Sequence, residues 1–281
     1  LNFDSLQMPN DKITTLPKFH KSLNAIKRLE VSQRTSTATL LSVIIPTYQE
    51  EKILPLLKNV YTKELKNKYN FEVIISDGGS TDKTVEITKE FADKIYVHKE
   101  SRRQTIAEGR NKGSEIAEGD VLIFINADTI PKDIDIFFSY IRKWADNPAS
   151  PFQALCCWVY SMPEERKLQD FFFYTFHNNY FRFLNFLGIG MGRGECRIIR
   201  RDLFQEVNGY NNQLVAGEDY DLFKRISKIA KIKFERKLVV LESPRRFRRY
   251  GYLKTILFWV LNSLSVDFRG KSASKEWEVI R

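Results

Sequence analysis

Asp128 stands just beyond the apolar run DVLIFI (120–125), in Asn126-Ala127-Asp128, and Glu218, Asp219 and Asp221 crowd into AGEDYDLFKRI. A carboxylate at a strand end can hold a hard divalent cation while leaving coordination positions open for phosphate oxygens. A second carboxylate, facing the first across a substrate, can take the proton of a hydroxyl. Together they meet the two electrostatic needs of a hydroxyl displacing a diphosphate: an offset leaving group and an activated nucleophile. Each has a plainer reading. Asp128 could end a turn before Pro131, and acids after Gly217 suit the positive end of a helix. Three acids within four positions exceed what a cap requires, so one of them is expected to be a base. Arg245, Arg246, Arg248 and Arg249 in SPRRFRRYG add guanidinium forks that match phosphate oxygens; the plain alternative is a basic surface.

Other chemistries find little support. Gly78-Gly79-Ser80 lacks the remainder of a phosphate-binding GxxxxGK[ST] loop, and the first apolar run ends in Pro-Thr-Tyr, not in a dinucleotide fingerprint. His20, His98 and His177 have no ligand spacing. Cys156, Cys157 and Cys196 make neither a disulfide framework nor a zinc pattern. Buried thiols in a reducing, cytosol-facing compartment are expected.

The elements that must position these residues alternate. LLSVIIP (40–46) is a β-branched apolar run closed by Pro46, as a buried parallel strand would be. A helix is predicted over 51–69, with Pro55 tolerated in its first turn. Strands are predicted at 71–76, 94–98 and 120–125, and helices at 83–92 and 104–117. Strand–helix alternation at this spacing implies a right-handed parallel α/β unit, whose ligands bind beyond the carboxyl ends of the strands. The loops that begin at Pro46, Asp77 and Asn126 all carry polar or acidic residues. Past Pro131 the alternation weakens. A strand is predicted at 152–160, an aromatic segment runs over 170–187, strand, turn and helix follow from Arg193, and another strand spans 237–242. The expected class is α/β: a mostly parallel sheet flanked by helices, with a further portion past Pro131 and a C-terminal helical tail. The expected division is an extension over 1–38, with a short helix near 22–30, a domain over 39–250, and an amphipathic helix and tail over 251–281.

Of the 281 residues 43% are hydrophobic and 28% charged, which argues against global disorder. The net charge of +10 is concentrated at one end: residues 223–281 carry 16 Lys and Arg against 5 Asp and Glu. Such a tail can attract nucleic acid, anionic lipid or phosphorylated substrates, or simply be a solvated surface. The first 20 residues lack the continuous apolar core of a secretory signal. The run at 253–266 is shorter than the about 20 residues that span a bilayer, so the chain is not expected to be integral. A cytoplasmic location is expected, with peripheral contact on the cytoplasmic face of the membrane as its variant. In that variant YLKTILFWVLNSLSV, beside four arginines and the aromatic run 171–186, rests on an anionic membrane. The alternative for the same segment is packing, within the domain or across a homodimer.

SVIIPTYQEE, SDGGSTDKT, GRNKGSEIAEGDVLIFINADTIP and GEDYDLFKR occur in that order over about residues 40–225. The set resembles the successive signatures of glycosyltransferase family 2, which has the GT-A fold, and SPRRFRRYGYLKT is similar to a subgroup of small bacterial and archaeal members. The resemblance implies that Pro46, Thr47, Tyr48 and Glu50 line a nucleotide pocket and that Asp77 hydrogen-bonds the base. It implies that Arg110 and Asn111 support the donor, that Asp128 holds Mg²⁺ or Mn²⁺ against the diphosphate, and that Asp219 is the general base of an inverting displacement with Glu218 beside it. Arg245 or Arg246 would reach the leaving diphosphate, although Phe247 stands where relatives often carry Trp. One departure is plain: the usual Asp-x-Asp is Asn126-Ala127-Asp128, and Asn126 can bond a ribose hydroxyl but adds no charge for the metal. The implied reaction moves a hexose from a UDP- or GDP-sugar to a hydroxyl or lipid-phosphate acceptor. A base favours the hydroxyl, because a lipid phosphate is already ionised. No nucleic-acid partner is implied. Two alternatives stand beside it: a nucleotidyltransferase, which would need a Gly-rich, basic loop where Thr47-Tyr48-Gln49-Glu50 lies, and a degenerate binding module, favoured only by Asn126.

Overall fold

Four apolar runs form the parallel half of the sheet: β1 (Leu41–Thr47), β2 (Phe71–Asp77), β3 (Lys94–Val97) and β4 (Val121–Ile125). The computed structural model describes residues 39–274. The predicted extension over 1–38, its helix near 22–30, and residues 275–281 lie outside the described residues. The remaining strands are β5 (Thr129–Pro131), β6 (Phe152–Ser161), β7 (Cys196–Arg200) and β8 (Lys231–Glu242), in one eight-stranded sheet of order β3-β2-β1-β4-β7-β6-β8-β5. β7 pairs antiparallel to β4 and to β6, so the sheet is parallel on one side and mixed on the other. β1 lies between β2 and β4. The strand order therefore reverses at β1 and opens a crevice at the carboxyl ends of β1 and β4, where α/β sheets bind ligands. Pro46 and Asn126 stand there.

β2 and β4 are buried along their whole length and β1 nearly so, as strands covered on both faces must be. Alternate residues feed two cores. Val43, Ile45, Val73 and Ile123 pack with Phe137 and Phe138. On the opposite face Ile44, Ile74, Leu122 and Phe124 pack with Phe204 and Phe223. Cys156, Cys157 and Cys196 are free and buried, as expected, and burial pushes the Cys156 thiol up.

The helix predicted over 51–69 is two helices, α1 (Leu54–Val60) and α2 (Lys63–Tyr69). Thr62 separates them: its backbone is extended and its hydroxyl accepts the Leu65 amide at 3.3 Å, an N-cap that restarts the helix. α3 (Thr84–Thr88) is shorter than predicted. α4 (Ile106–Ile116) starts at a capping box of Thr105 and Glu108. α5 (Ile134–Ala145) lies where no element was predicted. The aromatic segment is α6 (Leu168–Phe186), followed by α7 (Arg201–Glu206), α8 (Glu218–Ser227), α9 (Arg245–Tyr250) and α10 (Tyr252–Arg269). β8 begins at Lys231, six residues before the predicted strand.

Candidate active site

A cleft of about 770 Å³ lies over the carboxyl ends of β1 and β4. Pro46, Thr47, Tyr48 and Glu50 line it where β1 ends. Arg110, Asn126, Asp128, Glu218, Asp219, Arg245 and Arg246 line it as well. The structure thus brings together all of the predicted site residues except two.

The exceptions are Asp77 and Asn111, and local hydrogen bonding explains both. Asp77 is fully buried. Its Oδ1 accepts the amides of Gly79 (3.0 Å) and Ser80 (2.7 Å), and its Oδ2 accepts the hydroxyls of Thr47 (2.9 Å) and Ser80 (2.6 Å). The carboxylate is used in shaping the turn after β2, as short acidic side chains do before Gly and Ser. It is not among the residues that line the cleft, and its four bonds tie the turn after β2 to Thr47 at the end of β1. Asn111 donates to Tyr210 O (2.8 Å) and Asn212 Oδ1 (2.7 Å), and accepts the Tyr210 amide (3.0 Å). It clamps the 208–212 turn and stands off the cleft wall.

Arg110 is 2% exposed and joins the two acidic regions. Its Nη1 donates to Glu218 Oε1 (2.8 Å) and Asp219 Oδ1 (2.9 Å); its Nη2 donates to Asn126 Oδ1 (3.0 Å) and Gly194 O (3.2 Å). The Asn126 carbonyl oxygen is therefore directed at a guanidinium. Arg197, on β7, pairs with the same Asp219 Oδ1. Asp219 Oδ2 faces Gly194 instead, where an added Cβ would stand 2.6 Å from it. Gly194→Ala is expected to displace the Asp219 carboxylate and lower turnover by roughly tenfold or more. Initial rates measured well below the variant's melting temperature check it.

Asp128 Oδ2 accepts from Arg245 Nη2 at 2.8 Å, and the same nitrogen is 3.5 Å from Glu50 Oε1. The first residue of α9 thus reaches across to the ends of β1 and β4. The described residues hold no group of three or more His, Cys, Asp or Glu arranged as a cation cage. Asp128 still offers one carboxylate beside a cleft roomy enough for a diphosphate. A hard cation that takes its other ligands from phosphate and water needs no more than one or two carboxylates from protein. These residues fit Mg²⁺ or Mn²⁺ arriving with a phosphate ligand.

Several cleft residues escaped the sequence reading. Arg193 grips Glu195 through two bonds (3.1 and 3.0 Å), and Tyr174 donates to Glu242 (2.7 Å). Burial and the nearby Glu195 push the Glu242 carboxyl well above its ordinary range. His177, on the cleft wall, is pushed down to about 4 by burial and by Arg193, so it is neutral at physiological pH. The available signal was Arg-Gly-Glu placed directly before the apolar run of β7, which leaves charges beside a buried strand.

The cleft is also walled by α6 and α10, which meet through Phe173 and Tyr252 (ring centroids 4.7 Å) and His177 and Trp259 (5.9 Å). α10 is also tied to α8. Asp267 accepts Tyr220 Oη at 2.7 Å and pairs with Lys224, and Ser272 Oγ accepts the amides of Val215 and Ala216 at 3.0 Å. Gly217, at φ 82°, is the left-handed residue that starts α8, with Val266 packed 3.2 Å from where a Cβ would be.

The sequence model of Glycosyl transferase family 2 matches residues 42–207. Validoxylamine A glucosyltransferase of Streptomyces hygroscopicus subsp. limoneus is 32% identical over 153 residues, covering 52% of this chain and 32% of that protein. Glycosyltransferase AglE of Haloferax volcanii is 35% identical over 100 residues, covering 34% of this chain and 33% of that protein. The chain thus matches about a third of the length of these relatives. Among solved structures, mannosyltransferase PcManGT from Pyrobaculum calidifontis, in complex with GDP-Man and Mn²⁺, aligns with a TM-score of 0.57 at 19% identity, over 84% of this chain and 70% of that one. S. aureus TarS 1–349 in complex with UDP-GlcNAc aligns with a TM-score of 0.51 at 18% identity, over 72% and 56%. At these identities the structural likeness is one of fold.

Proposed function

The chain belongs to glycosyltransferase family 2 and is a glycosyltransferase, and from that premise we propose that it moves a hexose, with inversion, from a UDP- or GDP-sugar to an acceptor hydroxyl. Membership favours sugar transfer over nucleotidyl transfer, and the donor panel below tests the non-catalytic module. The observation that carries the finer reading is that Asp128 and Asp219 face one cleft and are linked through Arg110 and Asn126.

The nucleotide lies along Pro46, Thr47 and Tyr48, and the diphosphate lies in the middle of the cleft between Arg245 and Arg246. Asp128 would hold Mg²⁺ or Mn²⁺, which supplies positive charge to the leaving diphosphate. The acceptor hydroxyl enters from the α6–α10 end. Asp219 Oδ2 takes its proton while Oδ1 stays fixed by Arg110 and Arg197. The acceptor oxygen bonds the sugar's anomeric carbon on the face opposite the bond to phosphate, which breaks with its electron pair retained by the nucleoside diphosphate. Attack from the opposite face is what makes the outcome inverting. Glu218, held by Arg110, positions this pair. Asn126 orients Arg110 through its carbonyl oxygen.

A panel of UDP- and GDP-sugars, each with Mg²⁺, Mn²⁺ or chelator, tests the reading by melting temperature and by nucleoside diphosphate release. A ligand that binds only the folded state raises the melting temperature; a panel with no shift and no release would end the proposal. Arg245→Ala is a sharper probe. Charge-assisted hydrogen bonds contribute about 1.5–3 kcal/mol, so donor affinity is expected to fall roughly ten- to hundredfold. An unchanged donor KM would remove Arg245 from the diphosphate.

A further inference from the structure

We propose that the outer face of α6 and α10 is a docking surface for an anionic lipid bilayer, with the cleft opening against it. Leu168, Phe172, Phe176, Tyr180 and Phe183 follow one another at three- or four-residue spacing along α6, and all are exposed. Leu253, Leu257, Leu261, Leu264 and Phe268 do the same along α10. The exposure is large at the ends of both helices: Phe186 is 85%, Leu253 71% and Phe268 84% exposed. Such spacing places each set on one face of its helix. The inner faces already meet the protein through Phe173, His177 and Trp259, so these outward residues add nothing to the core.

Two observations join the stripes into one surface. The helices are in direct ring contact. Moreover, Phe176, Tyr180, Val260 and Leu264 are exposed and also line the cleft. The apolar stripes of both helices therefore border the same mouth. Monomeric proteins rarely expose contiguous apolar area beyond a few hundred Å², and a larger patch marks an interaction surface.

Charge identifies the partner. Exposed Lys167 and Arg182 stand at the two ends of α6, and exposed Lys254 and Arg269 at the two ends of α10, with Arg249 and Lys271 just beyond. The acids of these helices are engaged elsewhere: Asp170 is buried against Arg248, and Asp267 pairs with Lys224. An apolar centre with cations at its margins suits acyl chains beneath anionic headgroups. A second copy suits it less, because a two-fold interface sets a patch against itself and would bring cationic helix ends together. No helix among the described residues is long and apolar enough to cross a membrane, so these two lie along its surface.

Flotation of the full chain with phosphatidylcholine vesicles, with and without phosphatidylglycerol, tests the assignment. The protein is expected to float with the phosphatidylglycerol vesicles. The double variant Phe186→Ser, Leu257→Ser, whose residues lie outside the cleft, should bind them roughly tenfold more weakly or worse, with unchanged melting temperature and nucleotide-sugar hydrolysis. Phe172→Ser with Leu253→Ser serves as an independent pair should the first fold poorly. The assignment is overturned if the unmodified chain fails to float, if both variants float equally well, or if a vesicle-free dimer forms that the variants dissociate. Each result reads lipid binding apart from sugar transfer, so it stands or falls separately from the reaction proposed above.

Discussion

Alanine in place of Asp128 is expected to lower the transfer rate by about 10²–10³-fold, the scale of losing one preorganised electrostatic contact to a charged transition state. Asp128 is the only carboxylate of the Asn126-Ala127-Asp128 turn, and Asn126 is turned towards Arg110. No neighbour within the turn can therefore replace it. The substitution also releases Arg245, whose remaining acidic contact is the longer one to Glu50. Two measurements separate these effects. Titrating Mn²⁺ into Asp128→Asn should show a higher midpoint than in the unmodified chain, because the amide keeps the shape and loses the charge. Donor KM should change less than kcat, since Arg245 and Arg246 remain. Activity of Asp128→Ala within about twofold of the unmodified chain would contradict the assignment of this carboxylate.

The second large effect is expected at Asp219. Asp219→Asn should reduce kcat by about 10²–10⁴-fold, the range for removing a general base, with donor KM nearly constant. Stability should also fall, because Arg110 and Arg197 lose a shared counter-charge. Breaking a fully buried pair costs about 3–5 kcal/mol, but Glu218 still faces Arg110 and the Asp219 side chain is 20% exposed, so the loss should be smaller. Assays well below the variant's melting temperature keep the two losses apart. Glu218→Gln is the useful comparison: as a positioning residue it should shift stability at least as much while lowering kcat less. Equal kcat losses in the two variants would remove the assignment of the base to Asp219.

How far the sequence carries depends on the range of the interactions involved. β1, β2 and β4 are legible because their apolar runs end at Pro46, Asp77 and Asn126, and those ends fix where a ligand can sit. The helix break at Thr62 was missed because one hydroxyl cap outweighed an otherwise continuous helical pattern. The early start of β8 was missed because Lys231, Lys233, Glu235 and Lys237 make its first half look like solvated loop; Tyr140, from α5, contacts both Lys233 and Glu235. At the site, motif likeness found the neighbourhood but could not tell a residue that faces a ligand from one that braces a loop. Asp77 and Asn111 bond neighbouring loops, and nothing in their spacing separates them from the residues that line the cleft. The buried arginines posed the opposite difficulty. Arg110 meets Glu218 from 108 residues away, and Arg197 meets Asp219 across β7 and α8. No spacing rule reaches over such separations.

The bonds that the Val215 and Ala216 amides donate to Ser272 carry a practical lesson for anyone preparing this chain. The backbone immediately ahead of Glu218 and Asp219 is anchored by a residue just past α10, so shortening the protein at its carboxyl side to before Ser272, or fusing a bulky partner near residue 270, would loosen the acidic pair from behind. A shortened preparation that still melts sharply but turns over slowly would be the symptom.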